Sequence, residues 1–206
     1  MKITLQNLGR RFNQEWIFRG IDYTFSAPQA YAILGPNGSG KSTLIKVLTG
    51  QLTPSEGAIT YEHEGQAIDV EHIYKHISIA APYIELIEEF TLSELLDFHF
   101  KFKSPLPSFD KKSIVALLQM EKSLNKGLKF FSSGMKQRVK LALACCSDSK
   151  ILFLDEPTSN LDQNGETWYL DLVAQTKKAD RVIIIGSNQE KEYAFCEEQL
   201  SVLSYK

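Results

Sequence analysis

The sequence has no apolar run approaching the roughly 18 residues that a membrane-spanning helix needs, and residues 1–6 lack the long apolar core of a secretory signal. A protein made and kept in the cytosol is the expectation. Cysteine is scarce: Cys145 and Cys146 are adjacent, a poor geometry for bridging each other, and Cys196 is an odd third. That pattern argues against a disulfide framework and predicts buried free thiols. Neither sign of charge dominates, because 23 basic and 25 acidic residues leave a net charge of -2, dispersed along the chain. No global field recruits nucleic acid or an anionic membrane. Internal repeats and low-complexity tracts are missing too, so 206 residues read as one domain with a full core and no second catalytic unit.

What the chain does have is Gly35-Pro36-Asn37-Gly38-Ser39-Gly40-Lys41-Ser42, a match to the Walker A pattern G-x-x-x-x-G-K-[ST]. Its setting gives the match meaning. Residues 30–34 are a short apolar run, as in a buried strand, and residues 43–49 place Leu44, Ile45, Val47 and Leu48 at helical spacings. The glycines let the backbone curl so that several N–H groups face one anion, with the positive end of the following helix aimed at the same point. Lys41 would reach the outer phosphates of a nucleotide, and Ser42 would offer its hydroxyl to magnesium. Residues 35–43, with Pro36, Asn37, Ser39 and Thr43 among them, form the candidate nucleotide cradle.

Strand patterns at 2–7, 17–25 and 58–62 flank this unit, and 77–81 is a further buried strand. Helix patterns follow at 91–102, about 110–120 and 134–146, the first with Thr91 and Glu94 at capping-box spacing. Strands return at 151–154 and 182–185, with a helix from about 164 to 177 between them. Strands interleaved with helices predict an α/β fold with a mostly parallel sheet. The uninterrupted helical block predicts a lobe inserted into it, dividing the chain into a core of 1–81 and 147–206 and a helical subdomain of 82–146.

A phosphate loop alone could serve a kinase, a GTPase or a motor. The run Ile151-Leu152-Phe153-Leu154-Asp155-Glu156 narrows this, because an apolar strand delivers two adjacent carboxylates to its carboxyl end, beside the phosphate loop of a parallel sheet. Asp155 would hold the magnesium shell, and Glu156 would polarise a water for in-line attack on the terminal phosphoryl group.

Phe131-Ser132-Ser133-Gly134-Met135-Lys136-Gln137-Arg138 opens a helix upstream of that strand, and it resembles the signature motif of ABC-transporter ATPases, with Ser133 and Met135 replacing the usual glycine and glutamine. Asp155-Glu156-Pro157-Thr158-Ser159-Asn160-Leu161-Asp162 is similar to that family's catalytic strand end and D-loop. With the phosphate loop, these motifs occur in the family's order and cover nearly the whole chain. The resemblance implies a P-loop NTPase core with an N-terminal antiparallel β portion and the inserted helical subdomain. It implies ATP and Mg2+ as ligands, and a head-to-tail dimer in which Ser132 and Gly134 close over the other subunit's nucleotide. It also implies an adenine-stacking aromatic at Phe12, with Trp16 and Phe18 as competitors and core packing as the rival role.

Two positions depart from the family pattern. Where the family usually has a glutamine that touches magnesium and the attacking water, this chain has Pro82, which offers neither a side-chain oxygen nor an N–H. Tyr83 and Glu85 are the neighbours able to substitute. Where the family has a switch histidine, this chain has Asn188, able to donate a hydrogen bond to phosphate but unable to carry a proton near neutral pH. His63, His72, His76 and His99 read as surface or packing residues. Weak basal ATPase activity is the expectation.

The function implied by the resemblance is that of an ATP-binding subunit coupling dimer closure to an integral membrane transporter subunit. The second ATPase subunit is identical or related, and the complex sits at the inner face of the cell membrane. Residues 82–103 are the expected docking surface, where packing within the lobe accounts for all but one or two of Phe90, Phe98, Phe100 and Phe102. The alternatives are a regulatory subunit with little hydrolysis of its own and a soluble ATP-gated module that binds nucleic acid or a ribosome, although the chain has no basic tract.

Overall fold

The computed structural model describes all 206 residues. Its N-terminal part is an antiparallel sheet in the order β2-β1-β4-β5, built from β1 (Lys2–Phe12), β2 (Glu15–Ser26), β4 (Glu56–His63) and β5 (Gln66–Ile68). Between β2 and β4 come β3 (Ala30–Leu34) and the helix α1 (Lys41–Leu48). The second sheet has the order β6-β7-β8-β3-β9, with β6 (Ile77–Ala80), β7 (Ile151–Asp155), β8 (Val182–Ser187) and β9 (Glu198–Ser201), and every neighbouring pair in it is parallel. Helices α2 (Leu92–Phe102), α3 (Lys111–Leu118) and α4 (Ser133–Cys146) lie between β6 and β7 in sequence; α5 (Gln163–Thr176) joins β7 to β8, and α6 (Glu190–Tyr193) follows β8.

The period-two alternation of the central strands sorts their side chains into two cores. Ile151, Phe153, Val182, Ile184, Tyr31 and Ile33 face α1 and the antiparallel sheet. Leu152, Leu154, Ile183 and Ile185 face α2 to α5. Every residue of β7 and β8 is buried, as continuous apolar runs in a sheet covered on both faces require.

Most predicted elements are present with shifted ends, and the shifts have local causes. α2 begins after Thr91 because the capping box forms in full: the Thr91 hydroxyl accepts from the Glu94 N–H at 3.2 Å, and the Glu94 carboxylate accepts from the Thr91 N–H at 2.8 Å. α3 stops at Leu118, earlier than its pattern suggests, because Gln119 adopts a left-handed conformation (φ 57°) that ends the helix. β5, β9 and α6 escape the sequence pattern: each is only three or four residues long, too short for periodicity to register. Cys145 and Cys146 are buried free thiols and Cys196 is a half-buried one, with burial raising all three pKa values.

His99 of α2 is a packing residue, as expected. Its Nε2 lies 2.9 Å from the Ser147 hydroxyl at the end of α4, and burial lowers its pKa to about 4. Of the four lobe phenylalanines, Phe90 and Phe100 pack against the core, whereas Phe98 and Phe102 are exposed at 41% and 74%.

Candidate active site

Register puts the chemistry on one edge. Leu34 of β3 pairs with Ser187 of β8, and Asp155 of β7 pairs with Gly186 of β8, so the loops after β3, β7 and β8 leave the sheet side by side at its carboxyl end. The 35–43 segment is an open cradle: Pro36, Asn37 and Gly38 are exposed, and Gly38 has open space where a side chain would stand. Gly40 is the N-cap of α1 at φ 107°, and a Cβ there would meet Ile17 of β2 at 2.5 Å. Only glycine lets the loop enter the helix while packed on that hairpin. No side chain caps α1 and no acidic residue occupies its first turn, which leaves its N–H groups free for an anion. Lys41 is almost wholly buried, its ammonium donating to the carbonyls of Gly35 (2.8 Å) and Pro36 (3.2 Å). Ser39 is buried with a hydroxyl that has no partner, while Ser42 and Thr43 are half-buried on the first turn of α1.

Asp155 is fully buried at the end of β7, and neither carboxylate oxygen makes a hydrogen bond. Burial pushes its pKa up to about 6; the nearby Ser42 hydroxyl and the Lys41 and Lys46 ammonium groups pull the other way, and Glu156 adds to the rise. Two buried, unpartnered oxygens beside a serine hydroxyl fit a hard divalent cation, the donor set that magnesium takes. Glu156 stands next to them in a left-handed backbone conformation (φ 44°), with its N–H donated to the Gly186 carbonyl at 2.8 Å. A residue with a side chain rarely adopts this conformation, and here a sheet-edge hydrogen bond holds it.

Ser132 is the exposed N-cap of α4, accepting from the Met135 N–H at 3.2 Å, and a Cβ on Gly134 would lie 3.0 Å from the Asn160 carbonyl. Both line an open cavity of about 510 Å³ with Arg138, Asn160 and Asp162, and no residue of 35–43 borders it. Phe18 is fully buried, which removes it as a stacking candidate. Trp16 is flanked by the Arg11 and Arg19 guanidinium groups at 5.5 and 4.7 Å from its ring. Phe12 remains 44% exposed, with the Arg10 guanidinium 4.7 Å from its ring centroid.

A family model described as ABC transporter matches residues 18–159, which include the phosphate loop, the Ser132–Gly134 turn and the Asp155–Glu156 pair. The chain belongs to the ABC transporter family. It is 30% identical over 190 residues to "Uncharacterized ABC transporter ATP-binding protein YybJ" of Bacillus subtilis, covering 92% of this chain and 87% of that protein. It is also 30% identical to mouse ATP-binding cassette sub-family A member 17, where 98% of this chain spans only 12% of a much longer protein. Among solved structures, cbiO1 of Clostridium perfringens, part of the transporter complex cbiONQ, superposes with a TM-score of 0.75 at 26% identity, over 97% of this chain and 83% of that one. This ABC protein is thus an ATP-binding subunit of the kind whose family members are ATPases, and no helix in it is long and apolar enough to cross a membrane.

At the two departures of this ABC protein, the structure supplies neighbours. Asn188 is exposed just past β8 and donates from Nδ2 to Asn37 Oδ1 at 3.1 Å, which brings it onto the phosphate loop. Pro82 is exposed. Tyr83 beside it packs its ring 4.1 Å from the Lys46 ammonium, and its hydroxyl pKa is raised first by burial and then by the Asp155 charge. Glu85 acts instead on Lys140, whose pKa it raises against the larger effect of burial.

Sequence reasoning missed three residues at this site. Gly186 is one, because a Cβ there would stand 2.7 Å from Asp155 Oδ1 and close the space around that carboxylate. Gln137, buried in α4, donates to the Pro157 carbonyl at 2.8 Å. Glu192, buried in α6, accepts from Thr158 and Ser187. The signals for Gly186 and Gln137 are present in the motifs, whereas Glu192 lies in a helix too short to predict.

Asp155 and His99 should tilt stability in opposite directions. Between pH 6.5 and about 4 the unfolded chain protonates its histidine while folded His99 stays neutral, so stability is lost as pH falls. Between pH 3.8 and about 6 folded Asp155 holds a proton that the unfolded chain has released, so stability is lost as pH rises. Each effect is about 3 kcal/mol, and they offset one another. With magnesium chelated and nucleotide absent, the melting temperature of His99→Gln should fall more steeply with rising pH across this window than that of the native chain. Asp155→Asn should change the slope the other way.

Proposed function

We propose that the chain is the ATP-hydrolysing subunit of an ABC transporter, in which ATP-driven closure of two such subunits is coupled to a separate integral membrane subunit. One observation carries this reading: an open phosphate cradle beside the buried, unpartnered Asp155, with Glu156 held next to it in a rare backbone conformation. Residues 35–43 bind the phosphates, and Lys41 exchanges its two loop carbonyls for phosphate oxygens. Phe12 stacks on adenine, with Arg10 behind its other face. Ser42 and Asp155 hold magnesium, which supplies positive charge at the phosphate oxygens. Glu156 accepts a proton from the attacking water as its oxygen bonds to the terminal phosphorus, the bridging P–O bond breaks and ADP leaves. Asn188 donates from its amide to the terminal phosphate.

Pro82 and Asn188 make the basal rate weak, since a lost positioning group in such a site costs about tenfold to a thousandfold in turnover. The separation of Ser132 and Gly134 from the phosphate loop supports a composite site shared by two subunits. Residues 1–81 and 147–206 then act as the nucleotide-binding core and 82–146 as the helical lobe. The apolar groove of about 480 Å³ lined by Tyr74, Ile84, Ile87, Phe98 and Phe102 accepts the membrane subunit, which holds the protein at the inner face of the membrane. No nucleic acid takes part.

Co-purification from membranes, followed by ATPase assay with and without the membrane partner, tests this function. The expected result is a stable complex and faster turnover in it. A chain that binds RNA and no membrane candidate overturns the transporter reading. Ser132→Arg places bulk and charge at the closing face; ATP binding to the isolated chain should stay nearly unchanged while turnover falls about tenfold or more. Equal loss of both would argue against a site shared between subunits.

A further inference from the structure

We propose that Glu192 is a positioning residue that ties the turn after Glu156 to the end of the strand before Asn188, so that the two groups facing the terminal phosphate are held as one unit. This rests on the proposed hydrolytic role of the site. Glu192 is 1% exposed on α6. One of its carboxylate oxygens accepts from the Thr158 N–H at 3.0 Å and from the Thr158 hydroxyl; the other accepts from the Ser187 hydroxyl. No basic side chain forms an ion pair with it. A buried polar side chain held only by donors from the turn after β7 and from the end of β8 is costly to bury unless both stay in place, so it enforces their relative position.

What the two loops carry gives the tie its consequence. Thr158 lies two residues after Glu156 in a turn closed by Ser159 N–H to the Glu156 carbonyl (3.1 Å) and Leu161 N–H to the Thr158 carbonyl (2.9 Å). The same turn meets α4 through Gln137 at the Pro157 carbonyl and through Gly134 at the Asn160 carbonyl. Ser187 is the last residue of β8, immediately before Asn188, which reaches Asn37 of the phosphate loop. Beside the backbone bond from the Glu156 N–H to the Gly186 carbonyl, Glu192 is therefore a side-chain link between the segment bearing the proposed base and the segment bearing the phosphate-facing amide. The Tyr169 hydroxyl, donating to the Glu192 carbonyl at 2.9 Å, fixes α6 against α5 and keeps the carboxylate aimed inward. No residue of 35–43 hydrogen-bonds to Glu192, so nucleotide binding and positioning for attack are separable.

The test compares Glu192→Ala and Glu192→Gln in the full chain, using MgATP as the probe for binding and turnover. For Glu192→Ala, the MgATP dissociation constant should stay near the native value while turnover falls about tenfold to a hundredfold, the scale of a small misplacement transmitted to the reacting groups. Glu192→Gln should recover most of that loss, since its amide oxygen can accept from Thr158 and its nitrogen can donate to the Ser187 oxygen. Hydrogen exchange adds a readout independent of turnover: segments 157–162 and 186–190 should exchange faster together in Glu192→Ala, with 35–43 unchanged. If Glu192→Ala does not fold, Thr158→Val, which removes one hydroxyl donor, carries the same measurements. A native chain without turnover would overturn the hydrolytic role, while the exchange pattern would still decide the tie. Native-like turnover in folded Glu192→Ala, or exchange rising in only one of the two segments, would overturn the proposal.

Discussion

Glu156→Gln is expected to reduce ATP turnover by about a hundredfold or more while leaving ATP binding intact. A positioned general base contributes roughly 10²- to 10⁴-fold, and glutamine keeps the shape of the side chain but cannot take a proton from water. Nothing else in the loop should move, because the Glu156 N–H stays on the Gly186 carbonyl and the φ of 44° comes from the surrounding turn. Binding should survive because the cradle of 35–43, with Lys41, Ser42 and the free end of α1, does not depend on this carboxylate. Steady-state ATPase assay, equilibrium binding and the fraction of ATP-dependent dimer by sedimentation are the measurements. ATP trapped without hydrolysis should raise the dimer fraction above that of the native chain. Turnover unchanged by the substitution would place the base elsewhere.

Arg181→Met should lower folding stability by about 3 kcal/mol, by the cost of leaving buried acceptors unpaired. Arg181 is 1% exposed, and its guanidinium donates to the carbonyls of Ser149 (3.0 Å), Cys145 (2.9 Å), Thr176 (3.2 Å) and Ser147, and to the Ser149 hydroxyl at 3.2 Å. Those carbonyls include the C-terminal ends of α4 and α5, where the helix dipoles favour a cation and where carbonyls have no intrahelical donor. No carboxylate hydrogen-bonds to it, so methionine leaves no opposing charge uncompensated; it also removes the desolvation cost of the guanidinium, which limits the loss. Each unpaired carbonyl costs about 1 to 3 kcal/mol, and several unpaired together outweigh that relief. Arg181→Lys keeps the charge with fewer donors and should fall between the two. Chemical denaturation gives the ordering, and a native-like midpoint for Arg181→Met would show that water replaces the fork at no cost.

Much of the candidate site was legible because its chemistry is local. Residues 35–42 announce their backbone by where glycines fall, and residues 151–156 announce a strand by four apolar positions followed by two carboxylates. Thr91 and Glu94 likewise declare a helix start. Burial was less legible: Phe12, Trp16 and Phe18 look alike in a string, and only packing puts Phe18 in the core and leaves Phe12 at the surface with Arg10 on one face. Tyr83 and Glu85 were equal neighbours of Pro82 until the fold set Tyr83 near Asp155 and Glu85 near Lys140.

The sequence by itself determined a glycine-rich strand-to-helix loop of the phosphate-binding pattern and two carboxylates at the end of an apolar strand, because those features depend on residue type over a few adjacent positions. Only the tertiary structure decided that Asp155 lies buried with no partner, that Asn188 reaches Asn37, and that Glu192 joins the loops on either side. Those facts arise where strands distant in sequence end side by side. Their order in a parallel sheet is set by burial of two faces at once, a balance over the whole chain that no short segment records.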